Sequence, residues 1–251
     1  MKMLAFLNTP ILFSGLVDEY NKLIKAGIET YIVQVFDNID EKGNRIINFE
    51  ENKPTISEVL VEKIPVKAII IPSDYYADKI QNLPNIRTQN ERKISCCEMK
   101  DLKNKKQISY LPYILQDLFP DIDYYWFINW DIYYNGNSYS KFFATYNEER
   151  YDFISAYCEE FSVISDGIFR ISNRALKYLL ERRLVTNSSE ETKIFLYKEL
   201  VNNPNFSSKR IFGQKISFDK EINIAAERMW LKKDNKIYYP VYWIDEFFKK
   251  Y

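Results

Sequence analysis

Short apolar runs closed by polar residues alternate with segments of helical period along the first half of the chain. Met3-Leu4-Ala5-Phe6-Leu7 is apolar and stops at Asn8-Thr9-Pro10, the signature of a buried strand. Ile11 to Lys25 carries Leu12, Leu16, Tyr20 and Leu23 near helical spacing, and Gly27 ends it. Thr30 to Phe36 is β-branched and aromatic and reads as a second strand, with Asp37-Asn38 at its end. Asp40 to Lys53 is polar and predicts a loop or excursion, and Ile56 to Lys63 predicts a short helix. Val66 to Pro72 is a third buried strand, followed by Ser73-Asp74. This β-α-β-α-β order predicts a parallel sheet with helices on its faces. Ligands of such sheets collect at the carboxyl ends of the strands, where Asn8, Asp37 and Asp74 all lie.

The middle of the chain is less regular. Lys79 to Lys106 is polar, and its basic run from Lys100 is a solvated face or a loop whose Lys105 or Lys106 clamps a diphosphate. Ile108 to Leu118 reads as a helix, with Pro112 tolerated only in the first turn. Tyr124 to Ile132 is the strongest strand signal. Its unbroken apolar character apart from Asn129 and Asp131 places it at the centre of the sheet. Those two polar residues alternate, so they share a face.

Further on, Asn135-Gly136 signals a turn, Tyr139 to Tyr146 a short helix and Asp152 to Tyr157 a strand. Gly167 to Ile171 is a further strand, and Ser172 caps a helix running to about Arg183. Glu190 to Val201 is amphipathic, Asn202 to Ser217 irregular, Ile222 to Leu231 helical and Lys236 to Trp243 strand-like. The tail, Phe247 to Tyr251, is aromatic and basic.

Composition narrows the chemistry. The 251 residues contain no histidine, which excludes Ser-His-Asp and Cys-His catalysis and every histidine-bearing zinc site. Acid–base work falls to Asp, Glu, Lys, Tyr or Cys, and a metal would be held by oxygen, favouring Mg²⁺ or Mn²⁺. With 6 glycines and no GxGxxG or GxxxxGK[ST] pattern, dinucleotide and P-loop fingerprints are absent. Thirty-five basic residues balance 35 acidic ones, so no overall field draws nucleic acid or acidic lipid. Cys96, Cys97 and Cys158 read as reduced thiols of a cytoplasmic protein. No run of about 20 uncharged apolar residues predicts a transmembrane helix.

Asp131, at the mouth of a central strand, is placed to bind a cation shared with a diphosphate. The plainer alternative is that Asp131 opens a turn leading to Asn135-Gly136. Asn129 suits metal contact or a hydrogen bond within the sheet. Trp126 and Trp130 suit core packing or a platform for a base or sugar ring. Glu227, and Asp166 before Gly167, are the candidate general bases, each alternatively a solvated acid. Arg170 suits phosphate binding or pairing with a local acid.

The run Asp123-Tyr-Tyr-Trp-Phe-Ile-Asn-Trp-Asp-Ile-Tyr-Tyr-Asn-Gly-Asn137, with Phe142-Phe143 and Asp152-Phe153-Ile154, resembles GT-A-fold glycosyltransferase-like proteins. Their pattern reads aspartate, aromatic pair, Trp, apolar pair, Glu-x-Asp, Val or Ile, aromatic, x-Gly-Asn/Asp-Trp. Phe169-Arg170-Ile171-Ser172 with Ala175-Leu176 is similar to that group's arginine-x-serine helix start. Ala226-Glu227, ahead of Tyr239-Pro240-Val241, sits where the group tends to have a glutamate. The resemblance spans roughly residues 105 to 245. Asn129 stands in place of the first acidic residue and Ser138 in place of the tryptophan. An amide offers a carbonyl oxygen without charge, which weakens metal affinity.

The resemblance implies a single α/β GT-A-like domain over residues 1–251, with a mostly parallel central sheet flanked by helices. Residues 1–120 would form a nucleotide-binding half, and 121–251 a metal and acceptor half. It implies a cytoplasmic enzyme moving a sugar from a nucleotide-sugar donor to a saccharide or lipid-linked acceptor, as in surface-glycan synthesis. Asp131 and Asn129 would hold Mn²⁺ or Mg²⁺. Asn8, Asp37, Asp74 and Trp130 would contact the nucleotide, and Glu227 or Asp166 would act as base. Peripheral membrane contact is compatible with this reading, and nucleic acid is not an expected partner. The alternatives are a nucleotidyltransferase, disfavoured by the glycine-poor loop after the first strand, and a noncatalytic binding module, favoured by Asn129.

Overall fold

The computed structural model describes residues 1–9, 14–36, 53–61, 63–72, 75, 111–130, 132–135, 139–158, 162–186, 195–211, 214–216 and 236–239. Asp37, Asp74, Asp131 and Glu227 lie outside these residues. So do the excursion from Asp40 (except Lys53), the polar stretch Lys79 to Lys106 with Cys96 and Cys97, the segment Ile222 to Leu231 and the aromatic tail.

The chain is a single α/β domain built on an eight-stranded mixed sheet. The expected strands form as β1 (Met3–Asn8), β2 (Glu29–Phe36), β4 (Ile64–Pro72), β5 (Tyr124–Asn129), β7 (Phe153–Cys158) and β8 (Val163–Ser172). Joined by β3 (Thr55–Val61) and β9 (Ser208–Arg210), they lie in the order β3-β4-β2-β1-β5-β8-β7-β9. β4, β2, β1 and β5 are mutually parallel, and β5–β8, β8–β7 and β3–β4 pair antiparallel. A three-stranded sheet joins β10 (Gln214–Ile216), β11 (Lys236–Tyr239) and β6 (Tyr133–Asn135).

Two expectations are corrected. Ile56 to Lys63 is not a helix but β3 and its hairpin to β4. The alternation of Val59 and Val61 with exposed Glu58 and Leu60 is a strand period, and antiparallel pairing with β4 satisfies the backbone. The stretch from Asn202 to Ser217 is not wholly irregular, since it contributes β9 and β10.

Both faces of the sheet are covered. On one face, Leu4, Phe6, Tyr31, Val33, Tyr125, Phe127 and Phe169 pack under helix α2 (residues 111–118), helix α4 (Asn173–Thr186) and a π-helical turn, Tyr197–Val201. On the other, Ala5, Leu7, Ile32, Trp126 and Ile128 pack under α1 (Ser14–Lys25) and α3 (Tyr139–Asn147). This two-sided burial is why β1 and β5 read as unbroken apolar runs. Ser172 caps α4 as expected: its Oγ accepts the Ala175 N–H at 3.1 Å.

Arg170 is engaged with backbone carbonyls rather than with the local acid expected. It is wholly buried, and its guanidinium donates to the carbonyls of Tyr146 (2.5 Å), Glu149 (2.7 Å) and Tyr151 (3.1 Å) while stacking on Tyr124 at 4.4 Å. It therefore closes the carboxyl end of α3, where carbonyls lack helical partners. Burial pulls its pKa down to about 10, against the raising effect of Tyr124 and Glu149, and it stays charged at neutral pH.

Candidate functional site

The four parallel strands point their carboxyl ends to one edge of the sheet. The chain leaves β1 through α1 toward β2, on the side away from β5. It leaves β5 toward β7 and β8, on the side away from β1. Strand order therefore reverses between β1 and β5, two neighbouring parallel strands. Open α/β sheets bind ligands at such a reversal of strand order.

Asn8 ends β1 and Asn129 ends β5, and the two are register partners. The pleat that buries Phe6 and Phe127 on one face puts both amides on that face at the carboxyl edge of the sheet. Asn129 is 8% exposed and Asn8 half-buried. Beyond Asn129 the strand turns: the Trp130 N–H donates to the Asn8 carbonyl at 2.9 Å, and the Ile132 N–H donates back to the Asn129 carbonyl at 3.2 Å. Thr9, which directly follows Asn8, is buried, and its N–H donates to the Val33 carbonyl at 3.0 Å. The ends of β1 and β5 and the middle of β2 are thus tied by backbone bonds at one spot.

Of the nucleotide-contacting candidates, Asn8 and Trp130 come together here. Trp130 is half-buried, resting against the cluster that contains Trp126 and Ile128. Trp126 itself is core, fully buried edge-on to Phe143 at 5.0 Å. Asp37 and Asp74, one and two residues past β2 and β4, lie outside the described residues. Asp131 follows Trp130 directly and also lies outside them. Asp166 belongs to β8, whose backbone runs antiparallel past β5 with Ile168 opposite Ile128. Residues preceding Ile168 therefore approach the carboxyl edge. Glu227 lies outside the described residues, ahead of β11, and β11 pairs with β6 just after Trp130.

The described donors at this edge are two neutral amides. They contribute carbonyl oxygens of the hard type that Mg²⁺ or Mn²⁺ accepts, but no charge. Among the described residues, no three acidic or cysteine side chains cluster as a metal site.

A polar concavity of about 590 Å³ opens at the opposite, amino edge beside Asp121, Asp123, Tyr124, Asp152, Asn173 and Arg174. Its groups are engaged with one another. Asp152 accepts from Arg174, Ser172 and the Ser207 N–H. Asn173 donates to the carbonyls of Pro120 and Ile122, both at 2.8 Å. This edge clamps β7, β9 and α4 together.

No protein-family model matches the chain, and no curated protein matches it significantly. Three solved structures show distant likeness. A glycosyltransferase involved in glycosylation of the major capsid of PBCV-1 is 10% identical, with TM-score 0.44 over 95% of this chain and 92% of that one. Mouse xyloside xylosyltransferase 1 is 11% identical, with TM-score 0.47 over 94% and 96%. A Bacillus anthracis protein described as a glucose-1-phosphate thymidylyltransferase is 7% identical, with TM-score 0.38 over 84% and 87%. At such distances these likenesses add nothing to the sheet order and the site. Among the described residues, no helix is long and apolar enough to cross a membrane.

Proposed function

We propose that this chain is a glycosyltransferase that moves a sugar from a nucleotide-sugar donor to a saccharide or lipid-linked acceptor, as in surface-glycan assembly. The observation that carries the reading is the Asn8–Asn129 register pair at the point where strand order reverses. Amides there offer both donors and acceptors to the hydroxyls and phosphates of a nucleotide, and the half-buried Trp130 that follows Asn129 is the proposed stacking face for its base or sugar. Asp131, next in sequence, is the carboxylate assigned to the cation that neutralises the diphosphate. Asp37 and Asp74 complete the nucleotide contacts, and Asp166 or Glu227 serves as base. The enzyme would act in the cytoplasm, touching a membrane peripherally when its acceptor is lipid-linked.

Asn129 also favours a second reading. A neutral residue in place of an acid suits a noncatalytic binding module that has kept the fold and lost the metal site. Calorimetry with UDP, GDP and CMP, with and without Mn²⁺, tests both. The enzyme reading expects one nucleotide to bind, and Asp131→Ala to abolish sugar transfer. Unchanged transfer by Asp131→Ala would remove that residue from the site. Absence of any nucleotide binding would overturn the glycosyltransferase reading.

A further inference from the structure

The concavity at the amino edge lies at the far end of β5 from Asn129. Tyr124 lines it, and the length of the strand puts about 17 Å between the two residues. At about 590 Å³ it falls in the size range that holds small organic ligands. Its walls are fixed. Arg174 grips Asp152 through Nε at 3.2 Å and Nη2 at 2.5 Å, and the Ser172 and Ser207 hydroxyls donate to the same carboxylate. Asn173 accepts from Gln116 at 2.7 Å while donating to the Pro120 and Ile122 carbonyls. The Tyr124 ring is stacked with the buried Arg170 guanidinium at 4.4 Å. Walls already bonded in this way lose little freedom when a ligand enters.

Two lining side chains stand outside that network. Asp121 and Arg150 are exposed at the rim, and neither makes a hydrogen bond or ion pair with any described residue. Asp123 engages one carboxylate oxygen, which accepts the Lys2 backbone N–H at 2.7 Å. Uncommitted acceptors and donors thus line one opening. Charge decides what they can hold. Three carboxylates, of Asp121, Asp123 and Asp152, face two guanidiniums, of Arg150 and Arg174, and Arg174 is already paired with Asp152. The excess of acid repels phosphate, nucleotides and other anions. The guanidiniums oppose an organic cation, and no three acidic side chains among the described residues gather as a metal site. A neutral molecule rich in hydroxyls meets neither repulsion, because a hydroxyl can donate to a carboxylate and accept from a guanidinium. Tyr124 adds an apolar ring surface against which the C–H groups of a sugar can pack.

We propose that this concavity is a binding site for a neutral saccharide, with Asp121 and Asp123 accepting from its hydroxyls, Arg150 donating to them and Tyr124 packing against the sugar ring. The site is separate from the Asn8–Asn129 edge and does not rest on the glycosyltransferase reading.

The experiment titrates the isotope-labelled full chain with the methyl glycosides of glucose, galactose, mannose and N-acetylglucosamine, and separately with inorganic phosphate and putrescine, following backbone amide resonances. At least one glycoside should shift the Asp123, Tyr124, Asn173 and Arg174 amides saturably in the millimolar range, and leave the Trp130 amide in place. Phosphate and putrescine should not saturate the same amides. Asp121→Ala and Arg150→Ala, which remove no bond to a described residue, should keep the wild-type melting temperature and weaken that glycoside about five- to tenfold each. No shift with any of the four glycosides overturns the proposal. Saturation by phosphate or putrescine without a glycoside overturns it too, since the ligand would then be charged. Unchanged affinity in both variants, or shifts confined to the neighbourhood of Trp130, would seat the sugar elsewhere and overturn the site. Nucleotide binding at the carboxyl edge is read at the Trp130 amide, so either reading can fail while the other stands.

Discussion

The backbone N–H of Trp130 donates to the carbonyl of Asn8 at 2.9 Å, one residue beyond the last register pair of β1 and β5. This bond extends the pairing of two central strands to the point where they part. It keeps the Asn8 and Asn129 side chains side by side at the end of that pairing, while Trp130 packs on the other face of the sheet with Trp126 and Ile128.

The neutral charge of that pair can be altered. Asn129→Asp adds one carboxylate at a position 8% exposed. Ligand charge tunes the affinity of oxygen sites for hard cations, so Mn²⁺ should enhance nucleotide binding about tenfold more in the variant than in wild type. Without metal the buried charge should lower the melting temperature, and Mn²⁺ should restore it. Calorimetry and thermal melts with a Mn²⁺ titration measure both. An unchanged response to Mn²⁺ would mean that no cation sits at the end of β5.

Asn8 and Asn129 were legible as polar residues closing apolar runs, but their adjacency was not. It depends on β5 inserting beside β1 after a long intervening segment, and local pattern carries no record of such pairing. The Ser172 cap was legible because capping is local. Ile56 to Lys63 misled because a short segment of mixed polarity fits either period, and the partner β4 decided it. Arg170 misled for another reason. Three backbone carbonyls from the end of α3 can satisfy an arginine as an acid would, and carbonyls are invisible in composition.

Arg170 is expected to be the costliest single polar residue to truncate. Arg170→Met would take a charged donor from the carbonyls of Tyr146, Glu149 and Tyr151, for a loss of about 3 kcal/mol. Arg170→Lys keeps the charge but loses the planar fork, and should cost about 2 kcal/mol. Urea denaturation followed by tryptophan fluorescence reports the order, since Trp126 lies 5.9 Å from the guanidinium. Equal stability of both variants and wild type would refute the capping role.

Lys63 offers a change in the opposite direction. It turns the β3–β4 hairpin with φ of 69°, a left-handed conformation that disfavours a side chain. Lys63→Gly should raise stability by about 0.5 kcal/mol, read as a higher urea midpoint with unchanged slope. A lower midpoint would show that the lysine side chain contributes more than its backbone costs.

Asp152 should make the fold sensitive to acid. Burial pushes its carboxyl up, but the bonds from Arg174, the Ser207 N–H, and the Ser172 and Ser207 hydroxyls outweigh this together and hold its pKa below the ordinary 3.8. The sign follows from which state takes the proton first. As pH falls, the unfolded chain protonates at the ordinary value while the folded chain stays ionised, so stability is full above that value and declines through the folded pKa. Asp152→Ala removes the shared acceptor of these donors and should cost about 2 kcal/mol at pH 7, Arg174 being too exposed for its ion pair to add much. As pH falls through the folded pKa the gap between variant and wild type should narrow, because the wild-type carboxyl is then protonated as well. Urea midpoints across pH 2.5 to 7 follow the gap, and one that stays constant over that range would place the acid sensitivity elsewhere.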